Sequence, residues 1–210
     1  MDVERELKYS TTDEHVPSHA ELAAATAGSG LELETPTAER YVDVYFDTPA
    51  GDLRAAGVAL RRRHRPKGTY ATLKGAAARD GDMHTRSELE VPLPDDEGWP
   101  HEVLAALPAA TDPAGLAPVA ELWVQRVRLV ARDARGPVAE LAFDAVECRA
   151  PGQDAAAVTF NEVEVEALAD DPDVEERMRA LAAAVATVLP LTPSSSSKLE
   201  RALALLSAFA

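Results

Sequence analysis

Polar and apolar residues alternate with period two over eight stretches of the chain, the spacing that puts successive strand side chains on opposite faces. The first runs from Val3 to Tyr9, with Glu4, Glu6 and Lys8 on one face and Val3, Arg5, Leu7 and Tyr9 on the other. Arg40 to Phe46 is β-branched and aromatic and ends in the turn signal Asp47-Thr48-Pro49. Val58 to Arg65 and Thr69 to Gly75 form a hairpin about Pro66-Lys67-Gly68. Arg79-Asp80-Gly81-Asp82 reads as a loop tip within Ala76 to Met83. Thr85 to Val91 is the next strand, ended by Pro92 and Pro94. Glu121 to Ala131 and Val138 to Glu147 flank the turn at Asp133 to Pro137, and Val158 to Leu168 is the eighth strand.

Helices fall between and after the strands. Ser18 and Glu21 form a capping box for a helix from about His19 to Ala27, stopped by Gly28. Asp52 to Gly57 makes a short helical turn. Asp95 to Pro118, rich in Pro, Gly and Asp, is a connecting excursion around a helical patch from Glu102 to Leu107. Asp173 and Glu176 predict a cap for a helix through Val188, and Ser197 with Glu200 one for a last helix from Lys198 toward Ala208. The fold class is α+β, mainly β.

With 210 residues, 46% of them hydrophobic, the chain can bury a sizeable core as a single domain spanning 1–210. The 36 acids and 21 bases give a formal charge of -15, which disfavours nucleic acid and anionic membranes as partners. The single cysteine, Cys148, excludes an internal disulfide framework. The charged N-terminus does not resemble a signal peptide, and no apolar run reaches the roughly 18 residues of a membrane span, so a cytoplasmic protein is expected. Abundant Ala, Arg, Pro and Asp are consistent with a GC-rich genome.

Charge changes the picture more than composition does. Arg61 with Arg63, and Arg126 with Arg128, are basic pairs at strand spacing, joined by Lys74 and Arg86. Glu4 with Glu6, Glu88 with Glu90, and Glu162 with Glu164 and Glu166 are acidic sets, and Asp144 shares a face with Glu140 and Ala142. Like charges on neighbouring same-face positions repel, so something must compensate them. An economical arrangement turns these faces into the lumen of an antiparallel barrel, with helices packed outside. Arg5 and Arg62 would then face outward. Clustered carboxylates suit hard divalent ions, and clustered guanidinium groups suit phosphate oxygens.

The ordered series Glu4-x-Glu6-x-Lys8, Tyr45-Phe46-Asp47-Thr48-Pro49, Leu60-Arg61-x-Arg63, Thr72-Leu73-Lys74, Arg86-x-Glu88-x-Glu90, Arg126-x-Arg128, Glu162-x-Glu164-x-Glu166 and Ser197-Lys198 covers nearly the whole chain. It resembles the CYTH superfamily, the triphosphate tunnel metalloenzymes, which include inorganic and thiamine triphosphatases, class IV adenylyl cyclases and fungal-type RNA triphosphatases. The resemblance implies an eight-stranded antiparallel tunnel that hydrolyses inorganic triphosphate or a related organic triphosphate with Mg²⁺ or Mn²⁺. It implies Glu4, Glu6, Glu162 and Glu164 as metal ligands. Glu88, Glu90, Asp144 and Glu166 would ligate, act through water or position the nucleophile. Phosphate binding falls to Lys8, Arg61, Arg63, Lys74, Arg86, Arg126, Arg128 and Lys198. Two alternatives stay open: a cyclase making cyclic AMP from ATP, disfavoured by 5% aromatic content, and a non-catalytic polyphosphate-binding module. In many bacterial members a helical CHAD domain, associated with polyphosphate, follows the tunnel, so such a partner is an expectation here, while oligomeric state is left open. A lipocalin-like barrel for an organic ligand is disfavoured by the polar interior.

His64, His84 and His101 read as loop or surface residues. Cys148 reads as a packed or surface thiol, since no His and Asp arrangement around it marks a nucleophile.

Overall fold

A computed structural model describes residues 2–93, 98–153 and 158–208. The strands are β1 (Asp2–Thr11), β2 (Glu32–Leu33), β3 (Thr37–Asp47), β4 (Ala59–Arg65), β5 (Gly68–Lys74), β6 (Ala78–Asp80), β7 (Met83–Leu93), β8 (Ala117–Asp133), β9 (Gly136–Arg149), β10 (Val158–Ala167) and β11 (Thr192–Pro193). The α-helices are α1 (His19–Thr26), α2 (Asp52–Ala55), α3 (His101–Ala106), α4 (Val174–Val185) and α5 (Lys198–Ala208).

The eight long strands are those the alternation predicts, and they close into an antiparallel barrel in the order β1-β10-β9-β8-β3-β4-β5-β7, with β7 pairing back on β1. Closure leaves this ring without a free edge. The short strands β2, β6 and β11 pair with β8, β7 and β1.

Several expected boundaries shift. Residues 78–80 form β6 rather than loop, and Gly81, at φ 62, makes the tight turn into β7. Pro92 does not end β7 but pairs within it, opposite Tyr70. Pro94, and Asp95 to Glu97 of the expected excursion, lie outside the described residues. The patch after them is α3. The capping boxes of α1 and α5 are present. Asp173 precedes α4 without a side-chain cap bond, and α4 stops at Val185 rather than Val188. Asp47 has a structural role: its carboxylate accepts the backbone N–H groups of Thr48, Leu53 and Arg54, tying the end of β3 to α2.

Alternation along each strand divides the packing. On the outside, Leu7, Leu129, Leu141, Val163 and Val165 pack against Leu22 of α1 and Met178, Leu181 and Val185 of α4. A second outer layer puts Leu60, Ala71 and Leu73 against Leu53 and Val103 of α2 and α3. Arg5 and Arg62 are outside as expected: Arg5 pairs with Asp170 at 2.7 Å, and Arg62 lies over the Trp99 ring at 4.7 Å. The third cluster is internal. Ala120, Leu122, Val146, Cys148 and Phe160 continue the inward faces of β8, β9 and β10, and Leu199 and Ala202 of α5 pack on them. The barrel therefore changes character along its axis, from charged to apolar, where α5 meets it.

Candidate active site

The charged inward faces surround a cavity of about 460 Å³. Its wall includes Glu4, Lys8, Arg61, Arg63, Lys74, Arg86, Glu88, Glu90, Arg126, Arg128, Glu164, Glu166 and Lys198. Glu6, Asp144 and Glu162 are buried immediately behind, on the same inward-facing positions of β1, β9 and β10. Every site residue expected from the sequence is thus on the lumen side of the barrel.

Single-sign strands are compensated by their neighbours. Glu4 of β1 accepts from Lys74 of β5 at 2.7 Å and from Arg86 of β7 at 2.8 Å. Glu6 accepts from Arg86 at 2.7 Å and lies 3.3 Å from Lys8. Arg126 of β8 donates two 2.7 Å bonds to Asp144 and a third to Glu164. Lys198 reaches from the first turn of α5 to Glu164 at 2.5 Å, Asp144 at 2.9 Å and Glu162 at 3.1 Å. Arg65 pairs with Glu90 and Arg128 with Glu140 at the end away from α5, where the side chains are more open to water.

Three features were not expected. Asp43 on β3, with no exposed surface, accepts from Arg63 through two 2.7 Å bonds and from Arg61 at 3.2 Å. Its signal was the alternation Tyr41-x-Asp43-x-Tyr45, which places it inward beside the Arg61-x-Arg63 strand. Glu39, Arg65 and Tyr45 also line the cavity, beside Glu140, which is on the inward face expected of it. His84 is not a surface residue: it is buried on the inward face of β7, with Nε2 3.0 Å from the Ser194 carbonyl. His64 lies on β4, as its segment predicts, half-buried and 3.1 Å from the Thr69 hydroxyl, and His101 is exposed at the start of α3. Cys148 is a packed thiol that donates to the Val158 carbonyl.

The pairing sets the protonation states. Burial alone would push the Asp43 carboxyl up, but Arg61 and Arg63 hold it down at about 2. Burial opposes ionisation of Glu164 too, and Lys198, Lys8 and Arg126 outweigh it, keeping Glu164 well below the usual carboxylate range. Glu4 and its partner Lys74 both move down. Burial would raise Glu4, but Lys74 and Arg86 hold it well below the usual carboxylate range, whereas burial, then the positive charge of Arg86, lowers Lys74 despite the pair. Glu166 moves up instead. Burial and the adjacent Glu4 charge push it up to about 7.

Two carboxylates have capacity to spare for a cation. Glu166 is held high by burial and by the Glu4 charge, and neither oxygen of buried Glu162 accepts an aligned hydrogen bond, although Lys198 and Arg201 stand 3.1 and 3.7 Å away. Carboxylate oxygens of this kind suit a hard divalent ion. Because Glu162 and Glu166 are four residues apart along β10, roughly 13 Å, each would serve a different position along the tunnel. Among the described residues no three acidic groups already converge as a metal cluster, because basic side chains separate them.

A closed antiparallel tunnel lined by interleaved carboxylates and cations defines the class. The chain belongs to the CYTH domain family, whose model matches residues 3–203. Three solved structures are similar in fold. A Hippeastrum protein described as a candidate adenylyl cyclase with a dominant triphosphatase activity is 20% identical, with a TM-score of 0.57 over 98% of this chain and 96% of that one. A candidate adenylate cyclase from Bacillus halodurans is 15% identical, with a TM-score of 0.58 over 96% and 98%. A protein from Pyrococcus horikoshii OT3 is 20% identical, with a TM-score of 0.56 over 98% and 99%. No curated protein matches the sequence. Among the described residues no helix is long and apolar enough to cross a membrane.

Proposed function

We propose that this chain, acting as one tunnel domain, hydrolyses inorganic triphosphate or a related organic triphosphate with Mg²⁺ or Mn²⁺. The observation that carries the reading is the convergence of Lys8, Arg61, Arg63, Lys74, Arg86, Arg126 and Lys198 on one small cavity whose wall also carries Glu4, Glu88, Glu90, Glu164 and Glu166. Several fixed cations around a volume of small-molecule size suit a compact polyanion. Acids are at least as numerous as bases in the lumen, so a triphosphate entering alone meets little net attraction. Divalent cations entering with it satisfy both sets.

In this reading Arg61, Arg63, Arg86 and Arg126 supply fork-shaped donors to the phosphate oxygens, with Lys8, Lys74 and Lys198 as point charges and Arg128 receiving the outer part of the ligand. Glu4, Glu6, Glu162 and Glu164 would hold the metal, with Asp144 and Glu166 beside them. Bound there, the metal would polarise the reacting phosphoryl group and lower the pKa of an attacking water. Glu88 and Glu90 would orient that water or the nearby cations. Charge building on the leaving phosphate faces the arginines, which are already oriented by their carboxylate partners. No protein nucleophile is required.

The structures named as candidate cyclases favour a second reading, cyclic AMP formation from ATP. A cyclase needs a surface for the base, and the aromatic side chain in the cavity wall is Tyr45 alone among the described residues. The deciding experiment measures phosphate, pyrophosphate and cyclic nucleotide from tripolyphosphate, thiamine triphosphate, ATP and long-chain polyphosphate, each with Mg²⁺ or Mn²⁺. Phosphate release is expected. Cyclic AMP as the main product would favour the cyclase, and binding without turnover a polyphosphate-binding module, the role in which a CHAD partner would fit.

A further inference from the structure

The wall of the tunnel is charged, but the end beneath α5 is apolar. Leu199 and Ala202 pack against inward-facing Ala120, Leu122, Val146, Cys148 and Phe160, and all seven are buried. A through-passage there would wet these side chains. Helix α5 is also tied down from several directions. Its first turn carries a capping box, Arg79 pairs with Glu200 at 3.1 Å, and Arg201 lies 4.4 Å over the Phe160 ring and donates to the Asn161 carbonyl. Lys198, the residue before Leu199 in this floor, turns its ammonium into the charged cavity. At the opposite end the β4–β5 and β8–β9 turns leave Arg65 and Arg128 accessible.

We infer that the tunnel is blind at α5 and takes a phosphate chain by a free end, so that it reads the terminus of linear phosphate chains rather than their interior. The inference rests on the triphosphate reading above and narrows its substrate class. An anionic phosphate cannot continue past Lys198, because the apolar floor offers no partner for its charge and burying it there is costly. The rest of the chain, or an organic group attached to it, is left at the open mouth, where Arg65 and Arg128 meet it. A cavity of about 460 Å³ accommodates a short anionic segment and no more.

The test titrates the intact protein, with divalent cation present, against linear polyphosphate of two well-separated lengths and against the same polymers with both ends blocked as bulky esters. Products are followed by gel electrophoresis. End capture predicts one bound protein per free chain end whatever the length, and affinity lower by about tenfold or more when the ends are blocked. Chains that are cut shorten from the ends without fragments of middle length. Stoichiometry rising in proportion to length, blocked chains binding equally well, or mid-length fragments would overturn the blind tunnel while leaving triphosphate hydrolysis intact. Failure of tripolyphosphate itself to bind overturns both readings.

Discussion

Asp43 and Arg63 face each other inside the barrel through two parallel hydrogen bonds, both 2.7 Å long, and the same carboxylate also receives Arg61 at 3.2 Å. One buried acid therefore fixes the planes of two guanidinium groups that line the cavity, so we assign Asp43 as a positioning residue. Removing one partner of a buried pair costs about 3–5 kcal/mol, mostly because the remaining charges are stranded. A polyanion can repay part of that cost. Asp43→Asn should sharply lower the melting temperature of the empty protein, and tripolyphosphate should raise it more in the variant than in the wild type. An equal loss with and without ligand would mean that phosphate does not reach Arg61 and Arg63.

Asp43 also marks where sequence reading ran out. The eight barrel strands and the lumen face of the expected site residues on them were legible, because period-two alternation fixes the face and single-sign faces needed compensation from somewhere. Lys198, on α5, was expected only through the family resemblance. Which strand compensates which was not legible. That depends on barrel order, and Asp43 meets Arg63 because β3 pairs with β4 in one register. His84 was misread for the same reason, since its burial comes from the Ser194 segment across the fold. The short strands β6 and β11 carry too few residues for a periodic signal. The apolar floor was hidden because Leu122, Val146 and Phe160 look like ordinary strand residues until α5 is placed on them.

Glu166 gives the metal-free protein a distinctive pH response. Burial and the Glu4 charge raise its carboxyl to about 7. An acid raised on folding stabilises the native state fully below the ordinary carboxylate range and loses that contribution as pH rises through the folded value. Asp43, lowered on folding, acts oppositely, and its contribution is lost only as pH falls toward about 2. Buried His84, lowered on folding, adds stability as pH rises from the acid side and is common to both proteins compared. With a chelator present, Glu166→Gln should therefore be more stable than the wild type at pH 8, with the difference shrinking toward pH 5. Melting curves across that range check this, and a pH-independent difference would contradict the assignment.

Cys148 sits on the apolar floor and donates to the Val158 carbonyl, with burial raising its thiol. A buried neutral thiol is a poor nucleophile. Cys148→Ser should keep the hydrogen bond, cost about 1 kcal/mol of stability and leave turnover near the wild-type value. Loss of phosphate release in the folded variant would reopen covalent catalysis.

Glu164 and Arg126 separate the two proposed roles most directly, because they bond to each other at 2.7 Å and yet should fail differently. Glu164 also accepts from Lys8 at 3.0 Å and Lys198 at 2.5 Å. Glu164→Gln keeps the shape but leaves three cations undercompensated, so the empty protein should lose stability while metal-free tripolyphosphate binds as well or more tightly. Turnover should nonetheless fall by orders of magnitude, because a ligand for the polarising metal is gone. Arg126→Ala removes donors to phosphate at about 1.5–3 kcal/mol per charged hydrogen bond, so tripolyphosphate should bind about tenfold to a hundredfold more weakly with and without metal. It also leaves Asp144 and Glu164 more negative, so metal affinity should not fall with it. Calorimetric titration of tripolyphosphate into each folded variant, alone and with Mg²⁺ or Mn²⁺, read beside phosphate release, distinguishes these patterns. Equal losses of binding and turnover in both variants, or normal hydrolysis by Glu164→Gln, would show that the carboxylates and the cations do not divide the work in this way.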